Sequence, residues 1–338
     1  MYLMRTAFHS CMIFLLSLAL SSSYARDIYV SPQGNDANQG GEQQPLRTIA
    51  TAIQRAAAGD RIILAAGDYY GNVVVEKKGL TFIGLNRERA ADIGKLGTPG
   101  FSVTSPPARI ISRNGIPLTE RADSIWQNVS FISLNTNFEV ARFFNSTAQM
   151  NGCRFTISPT NSIDNLRMLV RIINSPVVFR QSVFLGEGLC GNGIRISAAA
   201  PTKVRFERCV FNELSRATIL LSGARGEENA SFEALNCLFV RVGIGFRRET
   251  GALGSAKAVN SIFHLTRGIA QTPEGTLPFE IENSLWSPGP VGLSYLISLA
   301  DRQDRGMIYP LPIFADESHA DFWERDIAKI PEIGRAHV

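Results

Sequence analysis

Glu207–Phe211 reads ERCVF, Leu235–Phe239 reads LNCLF and Val259–Phe263 reads VNSIF: one phrase, written three times in succession. Outward from these, the phrase recurs upstream as RQSVF (Arg180–Phe184), NGCRF (Asn151–Phe155) and NVSF (Asn128–Phe131), and downstream as ENSLW (Glu282–Trp286). The closing aromatics, Phe131, Phe155, Phe184, Phe211, Phe239, Phe263 and Trp286, fall 23 to 29 residues apart. A self-similar period of this length means stacked supersecondary units, none of which buries its apolar face alone. The phrase is polar, small, apolar, aromatic, and β-branched runs flank it, so each unit is a coil of short strands. The predicted fold is all-β, a right-handed parallel β-helix (solenoid), with regular coils from Ala108 to Phe314.

Parallel coils stack about 4.8 Å apart, and residues alternate inward and outward along each strand. Equivalent positions therefore form columns along the solenoid. The aromatic column is predicted to be a core stack. Three residues earlier stand Asn128, Gly152, Gln181, Arg208, Asn236, Asn260 and Asn283, a turn column expected to carry an amide ladder between coils. Two residues before the aromatic, Cys153, Cys209 and Cys237 alternate with Ser182, Ser261 and Ser284, which describes a narrow interior site for a small side chain. Packing is therefore expected over disulfide bridging.

The strand after each aromatic gives EVARFFN, LVRIIN, GIRIS, TILLS and GFRRE, whose central residues are Arg142, Arg171, Arg195, Leu220 and Arg247. Apolar residues on both sides turn the central one outward. Like guanidiniums at coil spacing repel unless carboxylates intervene. Those carboxylates belong either to nearby Glu139, Asp164 or Glu249, or to an acidic polysaccharide lying along the solenoid, which Arg grips bidentately. Six residues before the aromatics, Val178, Arg205, Glu233, Lys257 and Glu280 alternate in sign and read as a solvated salt-bridge ladder.

The chain has 338 residues, 45% of them hydrophobic and 19% charged, enough to bury a sizeable core. Arg5, an apolar run Met12–Leu20 and small residues up to Ala25 describe a secretory signal peptide over residues 1–25. The run is too short for a membrane anchor. Expected domains are thus a leader (1–25), the β-helix (26–316) and a C-terminal tail (317–338). Within the tail, Ile333–Val338 (IGRAHV) matches the translation of a common sequencing adapter, so residues 333–338 are expected to be read-through. A secreted or periplasmic monomer is expected. The formal charge of +4 gives no argument for nucleic acid.

At the N-terminal end the chain runs DIYVSPQGNDANQGGEQQPLRTIATAIQRAAAGDRIILAAGDYYGNVVV from Asp27. Strands are predicted at Ile28–Val30, Arg61–Leu64 and Val73–Val75, with a turn through Gly67. A helix capped by Thr48 carries the stripe Ile49, Ala52, Ile53, Ala56 and Ala57 and ends at Gly59. An amphipathic helix here would plug the open end of a solenoid. Over Tyr29–Val75 this stretch resembles the N-terminal coil of right-handed parallel β-helix proteins of the pectate-lyase-like superfamily, with Gly41-Glu42 where those openings carry Gly-Thr.

That resemblance implies a protein acting on or binding acidic polysaccharide, as a lyase (β-elimination) or a C5 epimerase of uronates; the alternative is a non-catalytic carbohydrate-binding or structural cell-surface solenoid. It also implies Ca²⁺ in many relatives, although no cofactor is evident in the sequence and the acidic cluster such a site needs is missing from it. The expected substrate contacts are Arg142, Arg171, Arg195 and Arg247. For the base that removes the proton beside a uronate carboxylate, Arg195 and Lys203 are the candidates. Outside the leader and the final six residues, His264 and His319 are the only histidines, and no GxSxG elbow or P-loop occurs.

Overall fold

The computed structural model describes residues 25–85, 107–134, 137, 139–157, 168–223, 228–252, 254–271 and 279–288. The leader, the 86–106 stretch, Asp164 and the chain beyond Pro288, with the last predicted coils and the tail, lie outside them.

One coil explains the rest. Ser124–Gln127 lies in a first sheet, Val129–Ser133 in a second and Ala141–Phe144 in a third. Ala148–Asn151 then returns to the first sheet in parallel register with Ser124–Gln127, pairing Met150 with Trp126. The same three-step path repeats as a right-handed parallel β-solenoid, the hand favoured by right-twisted strands. The second sheet has nine strands among the described residues. The first and third are joined by the long strand Asn192–Glu207, which pairs with third-sheet neighbours through Arg195 and with first-sheet neighbours through Arg205.

A single residue links each first-sheet strand to its second-sheet successor, and one residue can reverse the strand face only in the left-handed region. Asn128, Gln181, Arg208, Asn236, Asn260 and Asn283 have φ between 47° and 57°, and Gly152 has φ 63°. Asn tolerates that conformation better than most residues, and Gly adopts it freely. The ladder along this column is made by the backbone rather than by amides. The Asn128 N–H donates to the Asn151 carbonyl (2.9 Å), Gln181 to Glu207 (2.9 Å) and Asn236 to Val259 (3.0 Å). Asn260 Oδ1 is buried with no hydrogen-bond partner, so the expected amide ladder does not run through it.

One position on, side chains do form a ladder. Ser182 Oγ accepts from the Cys153 N–H (3.2 Å), Ser261 Oγ from Cys237 (3.2 Å) and Ser284 Oγ from Ser261 (3.1 Å). Cys153, Cys190, Cys209 and Cys237 are buried free thiols, as the packing reading expected. Beside them the aromatics stack in file: Phe155 on Phe184 at 5.0 Å, Phe184 on Phe211 at 4.8 Å, Phe211 on Phe239 at 4.8 Å and Phe239 on Phe263 at 4.6 Å, all within 9° of parallel.

The N-terminal motif is a lock on the solenoid's end. The short helix Ile49–Arg55 is capped by Thr48, whose Oγ1 accepts from the Thr51 N–H. Asp36 accepts from the backbone of Arg47 and Thr48 (both 2.9 Å), and Arg55 reaches back to the carbonyls of Asp36 and Asn38. The helix ends at Ala56 rather than at Gly59. The Asp60 carboxylate takes the Ala57 N–H (2.9 Å) and Lys78 Nζ closes on the carbonyls of Ile53 (3.0 Å) and Ala56 (2.8 Å), so Ala57 faces solvent. Gly67, predicted as a turn, begins a second-sheet strand, Gly67–Tyr70.

Two charged residues enter the interior from the third sheet. Glu120 is fully buried, and its Oε2 accepts from Trp126 Nε1 (3.1 Å) while Oε1 has no partner. Burial pushes its carboxyl up to about 8 against the opposing bonds from Ser124 and Trp126, so it is neutral below that pH. Arg248 takes an inward position otherwise held by Phe143, Ile172, Ile196 and Leu221. It donates to the Ala252 carbonyl (3.2 Å) and lies 5.4 Å from the Phe279 ring centre, and burial lowers its pKa.

Candidate functional site

The outer face of the third sheet carries the predicted arginines, and the register places them in line. Arg142 pairs with Arg171, Arg171 with Arg195, Arg195 with Leu220 and Leu220 with Arg247. Their neighbours Ala141, Phe143, Val170, Ile172, Ile194 and Ile196 are buried, and this fixes the arginines outward. Arg142, Arg171 and Arg195 are about one-third exposed, and Arg247 is exposed.

Loop residues on either side of the strands supply counter-charges. Glu139 enters the third sheet just before Ala141, and its side chain is nearly buried. Its Oε2 accepts from Arg142 Nη2 (2.8 Å), and its Oε1 lies 3.7 Å from Arg171 Nη1. One carboxylate thus serves two guanidiniums. Arg195 Nη2 donates to Ser222 Oγ (2.8 Å) and to Glu249 Oε2 (3.4 Å). Backbone bonds from Ser222 to Ile196 (2.9 Å) and from Glu249 to Leu221 (2.9 Å) hold those partners at the ends of their strands. The row is therefore four arginines against two glutamates.

Around the same edge, Glu213 pairs with Arg241 (2.9 Å) and Glu187 with Arg154 (3.8 Å). Sequence spacing had left Glu139, Glu187 and Glu213 looking scattered. The signal was there in the fold's own terms: Glu187, Glu213 and Arg241 share the left-handed conformation (φ 49–55°) that ends second-sheet strands. No two carboxylates face one another here, as a hydrolytic acid–base pair would require.

Lys203 is not part of this face. It lies in the first-sheet half of Asn192–Glu207, opposite Ser231, and its Nζ is 2.8 Å from Glu233 Oε1. The first-sheet column is in the predicted register, Val178 with Arg205, Arg205 with Glu233, Glu233 with Lys257 and Lys257 with Glu280. Among the described residues no group of three or more His, Cys, Asp or Glu side chains could hold a metal ion, so the donor set does not fit the Ca²⁺ that the resemblance implies. No helix among them is long and apolar enough to cross a membrane.

Comparison with known proteins agrees with this architecture. Residues 32–82, the N-terminal lock, match a family described as "Protein of unknown function (DUF1565)". The uncharacterized protein YwoF of Bacillus subtilis (strain 168) is 30% identical over 97 residues, covering 27% of this chain and only 20% of its own length. Among solved structures, the pectin methylesterase of Aspergillus niger superposes with a TM-score of 0.51 at 13% identity, covering 89% of this chain and 96% of that one. The pectin methylesterase PemA of Erwinia chrysanthemi gives 0.49 at 10% identity, covering 91% and 98%. An alginate lyase of Paenibacillus gives 0.44 at 12%, covering 79% and 96%. The likeness is one of fold. The chain is a right-handed parallel β-solenoid resembling the pectin-lyase and pectate-lyase-like superfamily at low sequence identity.

Proposed function

We propose that this is an exported β-helix protein that binds an acidic polysaccharide along the outer face of the third sheet, with Arg142, Arg171, Arg195 and Arg247 as its contacts to uronate carboxylates. The observation that carries this is the single file of guanidiniums on three consecutive coils, with one carboxylate shared between the first two. Each guanidinium has five N–H donors, and Glu139 engages one fork edge of Arg142 and of Arg171, so a second carboxylate has donors to meet. The file runs along the solenoid axis, the direction in which an extended polymer presents its charges one after another. The leader supports export.

Binding is favoured over catalysis by what surrounds the base candidates. A base in β-elimination or C5 epimerisation needs its charged form disfavoured. Arg195 is instead held by Ser222 and Glu249, and Lys203 by Glu233 on another sheet. The non-catalytic glycan-binding solenoid is therefore the form of this reading that the geometry supports best.

The test is retention of the full chain on immobilised pectate and alginate. The double variant Arg171→Ala, Arg195→Ala is expected to lose retention at least tenfold, and the wild type to lose it as salt rises. Salt-insensitive retention that survives the double substitution sinks the proposal. Rising absorbance from unsaturated uronates, or epimerised product by NMR, would make the protein an enzyme and return Arg195 and Lys203 to candidacy.

A further inference from the structure

The outer face of the second sheet changes character along the solenoid. In the N-terminal coils it is polar: Asp68 pairs with Arg109 (2.6 Å), Tyr70 is 69% exposed, and Ser130 and Arg154 follow in register. From Leu185 onward it is apolar. Leu185, Val210, Leu238, Val240 and Ile262 alternate with the stacked phenylalanines and so point away from the core. Yet none of the five is more than 4% exposed. An outward side chain on a solenoid loses its solvent only when something lies across it, and these are buried within one chain.

We propose that this strip is the docking site of the chain's own segment Val291–Ala300, which folds back over the second sheet. Three observations select this occupant. The chain leaves the described solenoid from Leu285–Pro288, the last strand of the second sheet and the upper end of the strip. Pro288-Gly289-Pro290 follows at once, a sequence that breaks a strand and turns the chain. Then comes VGLSYLISLA, ten residues without a charge, closed off by Asp301, Arg302, Asp304 and Arg305. The strip runs four coil steps back from Leu285, about 19 Å at ~4.8 Å per coil, and ten residues reach up to ~33 Å. An uncovered apolar strip of that length would be an association surface, so the docked segment keeps solenoids apart.

The test uses the full chain carrying p-benzoylphenylalanine in place of Leu296, irradiated and mapped by mass spectrometry. Expected are cross-links within one chain to the peptides around Val210, Leu238–Val240 and Ile262. Cross-links to a second chain would make another copy the occupant. Cross-links to the arginine face, or none, would equally overturn the assignment. If the Leu296 replacement does not fold, the same probe at Tyr295 or Leu293 interrogates the same strip. As an independent readout, Leu296→Asp with Leu299→Asp is expected to raise the apparent mass in solution at least twofold while leaving retention on pectate unchanged. A monodisperse, unchanged double variant counts against the docking.

Discussion

On the outside of the first sheet, Arg205, Glu233, Lys257 and Glu280 follow one another with alternating sign, whereas on the outside of the third sheet Arg142, Arg171 and Arg195 repeat a single sign. The two sheets share coils, spacing and register, so the difference lies in sequence alone. Two like charges about 4.8 Å apart repel by roughly 3 kcal/mol at an effective dielectric of ~20, and each face meets that cost in its own way. The alternating ladder neutralises itself within the sheet: Arg205 meets Glu207 at 2.7 Å, Lys203 meets Glu233 at 2.8 Å and Lys257 meets Glu282 at 2.8 Å. The arginine row relies on Glu139 and Glu249 from outside the strands, and is left in cationic excess. A ladder that closes on itself has little to offer an anionic ligand; a row in excess does.

The comparison presupposes that both faces are held by the same interior, and its hardest test is to break that interior. Phe211 stacks on Phe184 and Phe239 at 4.8 Å each and is fully buried. Phe211→Ala is expected to lower the unfolding free energy by about 3–5 kcal/mol, measured by denaturant titration. Both faces would suffer alike. A loss under ~1 kcal/mol would mean that the aromatic file does not set the register.

Next in size is a contrast between the inside and the outside of the third sheet itself. Glu120 faces inward with its carboxyl raised to about 8, well above the usual range for an unfolded glutamate. The folded state holds the proton that the unfolded chain releases. Its stabilising contribution is therefore complete below the unfolded value and is lost as pH rises through about 8, with a slope approaching ~1.4 kcal/mol per pH unit in between. Glu120→Gln is expected to flatten the stability profile over that window. Retention on pectate should stay level across it, because guanidiniums do not titrate there. A profile identical in wild type and variant would show that Glu120 is charged in the folded protein.

Glu139→Gln sharpens the comparison by giving opposite signs in two measurements. Without the shared carboxylate, Arg142 and Arg171 face each other uncompensated, and stability is expected to fall by about 1–2 kcal/mol, the pair being partly screened by solvent. Retention on polyuronate is expected to rise several-fold, since an internal competitor for both guanidiniums is gone. A fall in retention would instead make Glu139 part of the binding arrangement.

Much of this was legible before any coordinates. The aromatic file, the sign-alternating ladder and the arginine row were all periodic, and periodicity survives folding because a solenoid maps sequence period directly onto spatial register. What escaped was aperiodic. Glu139 and Glu249 sit in connections of unequal length, so no spacing tied them to the arginines they serve. Lys203 and Arg195 are near in sequence, but Asn192–Glu207 turns a corner between them and places them on different sheets. The turn column was read from its chemistry as an amide ladder; its common property is a left-handed φ, which Gln181 and Arg208 adopt alongside the asparagines. Glu120 and Arg248 break the inward apolar pattern singly, and one exception in a column carries no period to find.

The smallest effect expected is on the first sheet, and it decides whether the arginine row or mere positive charge does the binding. Glu233→Gln removes one anion, as Glu139→Gln does, so the two variants carry the same net charge. Here, however, Arg205 keeps Glu207, Lys257 keeps Glu282, and the released Lys203 is already more than half exposed. The stability change is expected to stay within ~0.5 kcal/mol. At physiological salt the screening length is about 8 Å, too short for a charge on the first sheet to act strongly on a polymer lying across the third. Retention should therefore match the wild type. If Glu233→Gln strengthened retention as much as Glu139→Gln, the polymer would be reading total charge, and the distinction between the two faces would lose its functional content.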